Sequence, residues 1–292
     1  MVDRFIQYIE TEKRYSALTV KAYRRDMDRF ALYMKEAYGV RDLSKVNTPM
    51  VKSFLVDLKE EGLSNRSINR MVSTLKTFYK FCLREEWVKK SPMTGIRNLK
   101  TPKNLVKFVP ESDIHKVSFE KDGDYTIKRD ELLFELLYQT GIRKAELIGL
   151  KDGDVDFGAK RIKVLGKRNK ERFIPVGDEL LQMVRHYQAL RDECFGEGHA
   201  DRLLLNDKGE AMTPYFVYNK VHRILEAVTS LKQKSPHVLR HTFATHLLDE
   251  GASLLAIQKL LGHTELATTQ VYAHNTIEQL KKIHQQAHPK GN

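Results

Sequence analysis

The segment at residues 89–110, KKSPMTGIRNLKTPKNLVKFVP, most constrains how this chain can fold. It contains three prolines, and no hydrophobic period continues through it. Proline lacks the backbone N–H that a helix interior needs, so this stretch cannot extend the helical pattern on either side. We therefore predict two domains, residues 1–96 and 109–292, joined by a linker at residues 97–108. A chain of 292 residues is long enough for two hydrophobic cores.

The two predicted domains differ in charge. Residues 1–108 hold 23 Lys+Arg against 12 Asp+Glu, whereas residues 109–292 hold 27 against 26. Nearly all of the net charge of +12 therefore lies in the first third of the chain. Such asymmetry indicates a polyanion-binding module joined to a balanced domain, although a basic surface that only aids solubility would give the same count.

The composition also excludes several classes of protein. Hydrophobic residues make up 41% and charged residues 30%, which is typical of a globular chain and not of a disordered one. No apolar run approaches the length of a membrane span, and the charged, periodic opening MVDRFIQYIE is unlike a signal peptide. Two cysteines, Cys82 and Cys194, are too few for a disulfide framework. We expect a cytoplasmic protein without a membrane partner.

Helical spacing of apolar residues runs through the whole first domain. Ser16 and Gly39 have the residue types that start and stop the second of four helical segments. Arg66, Arg70 and Arg84 share one face of the fourth segment, where they are either solvated surface or contacts to phosphates. We therefore predict a mainly α protein that begins with a four-helix, DNA-binding bundle. A second face of the fourth segment is apolar and predicts core positions: Ile68, Met71, Val72, Leu75, Phe78 and Cys82.

The apolar residues of the second domain follow two different periods, that of helices and that of strands. Helical patterns dominate, but RIKVL (161–165) and ERFIPV (171–176) alternate as strands do, with GKRNK as the turn between them. We therefore predict a mixed α+β domain with a small antiparallel sheet.

Two segments of this domain carry candidate phosphate-binding residues. In SPHVLRHTFATHLLDEG, His237 and Arg240 are three apart near the start of a predicted helix, where backbone N–H groups favour an anion. His237 and His241 are spaced like a metal pair, but the glutamate and third ligand of a zinc site are missing, so we expect no metal; a structural histidine is the other alternative. In TGIRKAEL, Arg143 falls in the first turn of a helix, where a cation opposes the helix dipole unless an anion lies between them.

Two further segments complete the set. The hairpin tip carries Lys167, Arg168 and Lys170, which either solubilise the tip or reach into a DNA groove. In LLGHTELATTQVYAH, His263 follows a glycine that ends a helix, and Tyr272 lies toward the far end of the next one. Taken alone, Tyr272 is most simply a tyrosine of an amphipathic helix.

Together these segments resemble the tyrosine recombinases, and among them the bacterial Xer and phage-integrase branch. The resemblance covers essentially the whole chain and implies a SAM-like core-binding bundle followed by a catalytic domain. It departs at Arg168, where the family often has glycine, and this difference would reshape the turn if a positive φ is needed there. The segments that carry it are SALTVKAYRRDMDRF, SINRMVSTLKTFYKF, TGIRKAEL, GKRNKERFIPV, HVLRHTFATHLL, LLGH, TTQVYAH and the closing HPKG.

The resemblance also implies a reaction. Tyr272 would attack a DNA phosphorus and form a 3′-phosphotyrosine, and the released 5′-hydroxyl would later attack back, so no cofactor, metal or ATP is required. His237 would assist the tyrosine as a base, and Lys167 would protonate the leaving oxygen. The remaining members would stabilise charge on the non-bridging oxygens. The full implied catalytic set is Arg143, Lys167, His237, Arg240, His263 and Tyr272.

The implied partners are double-stranded DNA with an inverted-repeat site and other recombinase subunits, in a homo-tetramer or a hetero-tetramer with a paralogue. The amphipathic tail at residues 276–287 would dock on a neighbouring protomer or pack on its own domain. Chromosome dimer resolution and mobile-element integration both fit, and the protein would then lie at the nucleoid. A non-catalytic DNA-binding protein and a type IB topoisomerase-like enzyme are the alternative functions. The predicted DNA contacts are Arg66, Arg70, Arg84, Arg168 and Lys170.

Overall fold

The computed structural model describes residues 1–101, 108–166, 170–196 and 200–262. Two compact units divide between Asn104 and Leu105, a point within the predicted linker. The predicted fold class is confirmed, since helices dominate and the sheet is small and antiparallel. The domain limits at residues 96 and 109 stay predictions. No helix in the described parts of the chain is long and apolar enough to cross a membrane.

The first unit is a bundle of four helices. Ser16 accepts a hydrogen bond from the backbone N–H of Thr19, and Gly39 ends that helix with a φ of +65°, as the sequence predicts. Ser64 caps the last helix in the same way. The helices are α1 (Val2–Thr11), α2 (Ala17–Tyr38), α3 (Thr48–Glu60) and α4 (Asn65–Arg84).

The core of this unit is mainly apolar but includes one buried carboxylate. All six predicted core positions of α4 are buried, and they share one hydrophobic cluster with aromatic residues of α1, α2 and α3. Asp26 of α2 is buried as well, and it accepts hydrogen bonds from Arg70 and from the hydroxyl of Thr74. Because an unpaired buried carboxylate is costly, these two partners fix α2 against α4.

The first residues of the predicted linker lie along α4. The Asn69 side-chain amide donates to the carbonyl of Leu99 at 2.9 Å and accepts from its N–H at 2.7 Å. Asn65 donates to the carbonyl of Lys100 at 2.8 Å. Residues 99–100 are therefore held by the first unit through their backbone.

The second unit is helical around a three-stranded sheet of order β1-β2-β3. The sequence predicted the two longer strands; the two-residue β1 and the one-turn α5 were not predicted. In the antiparallel pairing of β2 with β3, Leu165 lies opposite Glu171 beside the hairpin tip. The elements are α5 (Glu111–Ile114), α6 (Tyr125–Thr140), α7 (Lys144–Gly149), β1 (Val155–Asp156), β2 (Arg161–Leu165), β3 (Glu171–Pro175), α8 (Asp178–Phe195), α9 (Pro214–Val228), α10 (Pro236–Asp249) and α11 (Leu254–Leu261).

Helix α6 is central to the second unit and packs against both α8 and α10. It ends at Gly141, which has a φ of +59°. A Cβ at this glycine would lie 2.4 Å from the Phe243 ring of α10, so only glycine allows the two helices to approach so closely. This approach brings the end of α6 beside the middle of α10.

Val109, near the start of the second unit, is hydrogen-bonded to α10. The N–H of Val109 donates to the Thr242 hydroxyl at 2.9 Å, and its carbonyl lies 3.0 Å from His246 Nε2. Since a carbonyl only accepts, Nε2 carries the proton, and His246 Nδ1 accepts from the Tyr138 hydroxyl at 3.1 Å. Burial lowers the pKa of His246 and favours this neutral form.

Candidate active site

Helix α11 ends where several charged side chains meet. Gly262 terminates the helix with a φ of +63°. The last carbonyls of any helix lack partners within it and form the negative end of its dipole. Here three arginines from different elements donate hydrogen bonds to these carbonyls, and we call the three residues the arginine cluster. Their bonds are Arg172 Nε to Leu260 O at 2.8 Å, Arg240 Nη2 to Leu261 O at 2.5 Å and Arg143 Nη2 to Gly262 O at 3.4 Å.

Arg240 is the buried member that comes from α10. Besides its bond to α11, its Nη1 donates to the carbonyl of Gly141 at 2.6 Å, so the end of α6 also holds it. Burial, and then the nearby charge of Arg143, lower the pKa of Arg240 to about 10. The side chain therefore remains a cation at neutral pH.

Arg143 lies immediately before α7, at its N-cap, one position earlier than the predicted first turn. An anion does lie beside it, the carboxylate of Glu146. This carboxylate accepts from the Arg143 backbone N–H at 2.7 Å and from the Arg143 side chain at 2.8 Å. The glutamate therefore offsets the unfavourable placement of a cation at a helix N-terminus.

Arg172 of β3 binds the same glutamate with two parallel hydrogen bonds, of 2.8 and 2.9 Å. Burial alone would raise the pKa of Glu146, but the bonds from Arg172 and then from the backbone of Arg143 lower it to about 2. Glu146 is therefore an anion at all physiological pH values.

Sequence reasoning missed both Arg172 and Glu146. A signal for Arg172 was present: on β3 it shares a face with Ile174 and lies opposite Val164 of β2, and both of these residues are buried. An arginine on the core-facing side of a strand needs a buried partner. The spacing of three residues between Arg143 and Glu146 was a weaker signal for that pair.

The arginine cluster has more positive than negative charge. Among the described residues, it brings together three guanidinium groups and one carboxylate, that of Glu146. A partly buried excess of positive charge stabilises an anion that enters it. The site is therefore suited to a phosphate group.

The other predicted site residues are described only in part. His237 is exposed in the first turn of α10, one turn before Arg240, and Lys170 is exposed at the base of the hairpin. Burial, and then proximity to His237, lower the pKa of His241. Within the described residues, no group of three His, Cys, Asp or Glu side chains is placed to hold a metal. Four predicted residues lie outside the described residues: Lys167, Arg168, His263 and Tyr272.

The predicted DNA contacts of the first unit differ in their surroundings. Arg66 is exposed on α4. Arg70 is paired with Asp26, and Arg84 is paired with Glu12 and packs over the ring of Tyr8 at 4.1 Å. The two side chains are 40% and 46% exposed, and a guanidinium has five N–H groups, so donors remain for a phosphate. Their role in binding DNA stays a prediction.

Family models match both units. The model of the phage integrase family matches residues 109–279, which include the arginine cluster, and that of the phage integrase N-terminal SAM-like domain matches residues 2–86. The chain belongs to the phage integrase family.

Relatives that align over nearly their full length show to which branch of the family the chain belongs. The chain is 36% identical to tyrosine recombinase XerC of Oceanobacillus iheyensis over 295 aligned positions, with 100% of this chain and 96% of the relative covered. It is 33% identical to tyrosine recombinase XerD of Staphylococcus haemolyticus, with 99% of each covered. This chain is therefore a Xer-like tyrosine recombinase, an enzyme of site-specific recombination. Neither alternative function, the non-catalytic DNA-binding protein or the topoisomerase-like enzyme, is favoured.

Solved structures share the fold. The XerH site-specific recombinase bound to a palindromic difH substrate matches with a TM-score of 0.72 at 21% identity, covering 97% of this chain and 83% of XerH. The Tn1549 transposon integrase in complex with transposon right end DNA matches with a TM-score of 0.68 at 22% identity, covering 90% and 91%.

Proposed function

We propose that the recombinase cuts and rejoins DNA through a 3′-phosphotyrosine on Tyr272, with the arginine cluster as the binding site of the scissile phosphate. The observation that carries this proposal is the excess of positive charge held at the end of α11. Attack on a phosphodiester gives a pentacoordinate transition state whose non-bridging oxygens gain negative charge. Cations that are already in place stabilise that charge without reorganising.

Arg143 and Arg240 have donors to spare for those oxygens. A guanidinium has five N–H groups, and each of these arginines uses two for the protein contacts described above. The planar fork can bind two phosphate oxygens at once, which a lysine cannot do. Both arginines therefore act as phosphate clamps in our proposal.

The remaining roles follow from the chemistry of each step. A tyrosine with a pKa of about 10 is a weak nucleophile at neutral pH, so a base must take its proton, and we assign this role to His237. The leaving 5′-oxygen needs a proton, which we assign to Lys167. His263 adds a hydrogen bond to the phosphate. The energy of the broken phosphodiester bond is conserved in the phosphotyrosine bond, so we propose that the reaction uses no cofactor, metal or ATP.

We further propose that the substrate is duplex DNA with an inverted-repeat site, bound by four recombinase subunits at the nucleoid. The XerH recombinase, whose fold this chain shares, is bound to a palindromic substrate, and this supports the first point. Strand exchange joins two duplexes and uses one active site per strand, which supports a tetramer, either of this chain alone or with a paralogue. The tail at residues 276–287 would join neighbouring subunits.

Covalent capture tests the proposal. The binding site is first selected from random inverted-repeat duplexes, and a nicked duplex with that site is then incubated with the protein in EDTA without ATP. We expect an adduct attached through a DNA 3′-phosphate, because a nick lets the free strand diffuse away after cleavage. Tyr272→Phe should bind the duplex but form no adduct. An adduct formed by Tyr272→Phe at the wild-type rate would show that another residue is the nucleophile.

A further inference from the structure

Arg172 connects three elements of the second unit. It lies on β3, binds Glu146 of α7 with two hydrogen bonds and donates its Nε to the carbonyl of Leu260 in α11. Its side chain is only 12% exposed, so it offers little surface to DNA. One side chain therefore holds the hairpin, the N-terminus of α7 and the C-terminus of α11 together.

Arg172 also shares an acceptor with Arg143. Glu146 Oε1 accepts from Arg143 Nη1 and from Arg172 Nη1, both at 2.8 Å. If Arg172 were absent, the carboxylate would be balanced by Arg143 alone, and a stronger pair would form between them. The guanidinium of Arg143 would then be drawn toward Glu146, and the cluster would lose one positive charge.

The same side chain packs on the backbone beside two predicted catalytic positions. The point where a Cβ of Gly262 would lie is 3.2 Å from Arg172 Cδ, and the corresponding point at Gly166 is 3.7 Å from Arg172 Nη1. Gly262 directly precedes His263 in the sequence, and Gly166 directly precedes Lys167. The Arg172 side chain therefore lies against both glycines from which the chain continues to those residues.

We propose that Arg172 is a positioning residue for phosphodiester cleavage, acting through Glu146 on Arg143 and through Leu260 on the end of α11. This inference rests on the proposed role of Arg143 and Arg240 as phosphate clamps. Arg172 itself does not touch the substrate. Its loss should slow cleavage while DNA binding persists, because the basic surfaces of the first unit remain unchanged.

The test compares Arg172→Lys and Arg172→Ala with the wild type on the nicked duplex. We expect both variants to cleave about 10- to 100-fold more slowly in single turnover, because small displacements of a catalytic group have effects of this size. The DNA dissociation constant should stay within about threefold of the wild-type value, since the loss concerns the transition state. Lysine should not rescue, because an ammonium group cannot donate to both Glu146 oxygens and to Leu260 at once.

A matched control is available on the neighbouring strand. Arg161 of β2 pairs with Asp156 at 3.0 Å and packs over the Phe173 ring, so it is also a strand arginine bound to a carboxylate. Arg161→Ala should cleave at the wild-type rate. Thermal unfolding of all variants checks folding, and Arg172→Lys keeps the charge and most of the packing if the alanine variant is unstable.

A double-mutant cycle tests the route through Glu146. The variant Arg172→Ala with Glu146→Gln should cleave much faster than the product of the two single losses predicts. If Arg172 acts through Glu146, the loss of Arg172 has already disturbed the Glu146 contacts, so neutralising Glu146 as well adds little. Multiplicative losses would overturn this route. Cleavage by Arg172→Ala within about threefold of the wild type, or full rescue by lysine, would overturn the proposal itself.

The same assay separates this inference from the proposed function. Arg240→Ala, which removes a proposed phosphate clamp, should lose cleavage whatever Arg172 does. If Arg240→Ala is inactive while Arg172→Ala is normal, only the positioning role is wrong. If the wild type forms no adduct at all, the proposed function is wrong.

Discussion

Lys167 follows Gly166, whose backbone lies beside the arginine cluster. A lysine delivered from this point would have one chemical task that the arginines do not share. An alkoxide is a poor leaving group and needs a proton, whereas the non-bridging oxygens need only positive charge nearby. These two requirements can be separated by changing one atom of the substrate.

We predict that Lys167→Ala cleaves ordinary DNA about 10²- to 10⁴-fold more slowly than the wild type, the usual effect of losing a general acid. On DNA with sulfur in place of the bridging 5′-oxygen, the rate should be largely restored, because a thiolate leaves without a proton. Single-turnover cleavage on the two substrates measures the difference.

Arg143→Ala is the control for this prediction, because sulfur at the bridging position does not replace charge at the non-bridging oxygens. It should stay slow on both substrates. Equal rescue of the two variants would contradict the assignment of roles. If the sulfur substrate does not rescue Lys167→Ala, a neighbouring residue such as Lys170 is the general acid instead.

At the scale of elements, Gly141 is a point of close approach between the end of α6 and α10. Its φ of +59° disfavours any side chain, and a Cβ would overlap the ring of Phe243. We predict that Gly141→Ala destabilises the protein by about 1–3 kcal/mol, the usual cost of overpacking a core. Cleavage should fall as well, because the carbonyl of Gly141 holds Arg240.

Chemical denaturation and single-turnover cleavage measure these two effects. Gly149→Ala at the end of α7 is the matched control, since its φ is not in the left-handed region and nothing lies within 4 Å of the added Cβ. A stability of Gly141→Ala equal to that of the control would show that α6 and α10 can separate without loss.

Helices and their ends could be predicted from the sequence where they depend only on a few neighbouring residues. Ser16 and Gly39 mark the ends of α2 because capping depends on a few neighbouring residues. The two-residue β1 has too few positions to show a period, so only its pairing with β2 defines it. Arg143 and Arg240 could be singled out as candidates from the sequence pattern, but Arg172 and Glu146 meet only in the folded chain.

At the scale of the whole molecule, charge is divided unevenly between the units. Residues 1–108 have 11 more basic than acidic residues, whereas residues 109–292 have an excess of only 1. Binding to DNA releases counterions in proportion to the phosphates neutralised, so affinity should fall steeply with salt where the charge resides.

We therefore predict that a fragment of residues 1–108 keeps most of the salt dependence of DNA binding. Circular dichroism first confirms that the fragment is helical, and fluorescence anisotropy then gives the dissociation constant across a salt series. The fragment of residues 109–292 is the comparison. If it matched the affinity and the salt slope of the full chain, the first unit would not be the main source of electrostatic binding.

The three acceptors at the end of α11 affect how the recombinase tolerates mutation. Every amino acid supplies the same main-chain carbonyl, so substitutions at Leu260 and Leu261 alter apolar packing but leave the acceptors of Arg172 and Arg240 in place. Gly262 is the exception, because a side chain there would meet Arg172 and its φ is positive. At this end of α11, point mutations therefore disturb the arginine cluster through Gly262, whereas substitutions of Leu260 and Leu261 leave the carbonyl acceptors where they are.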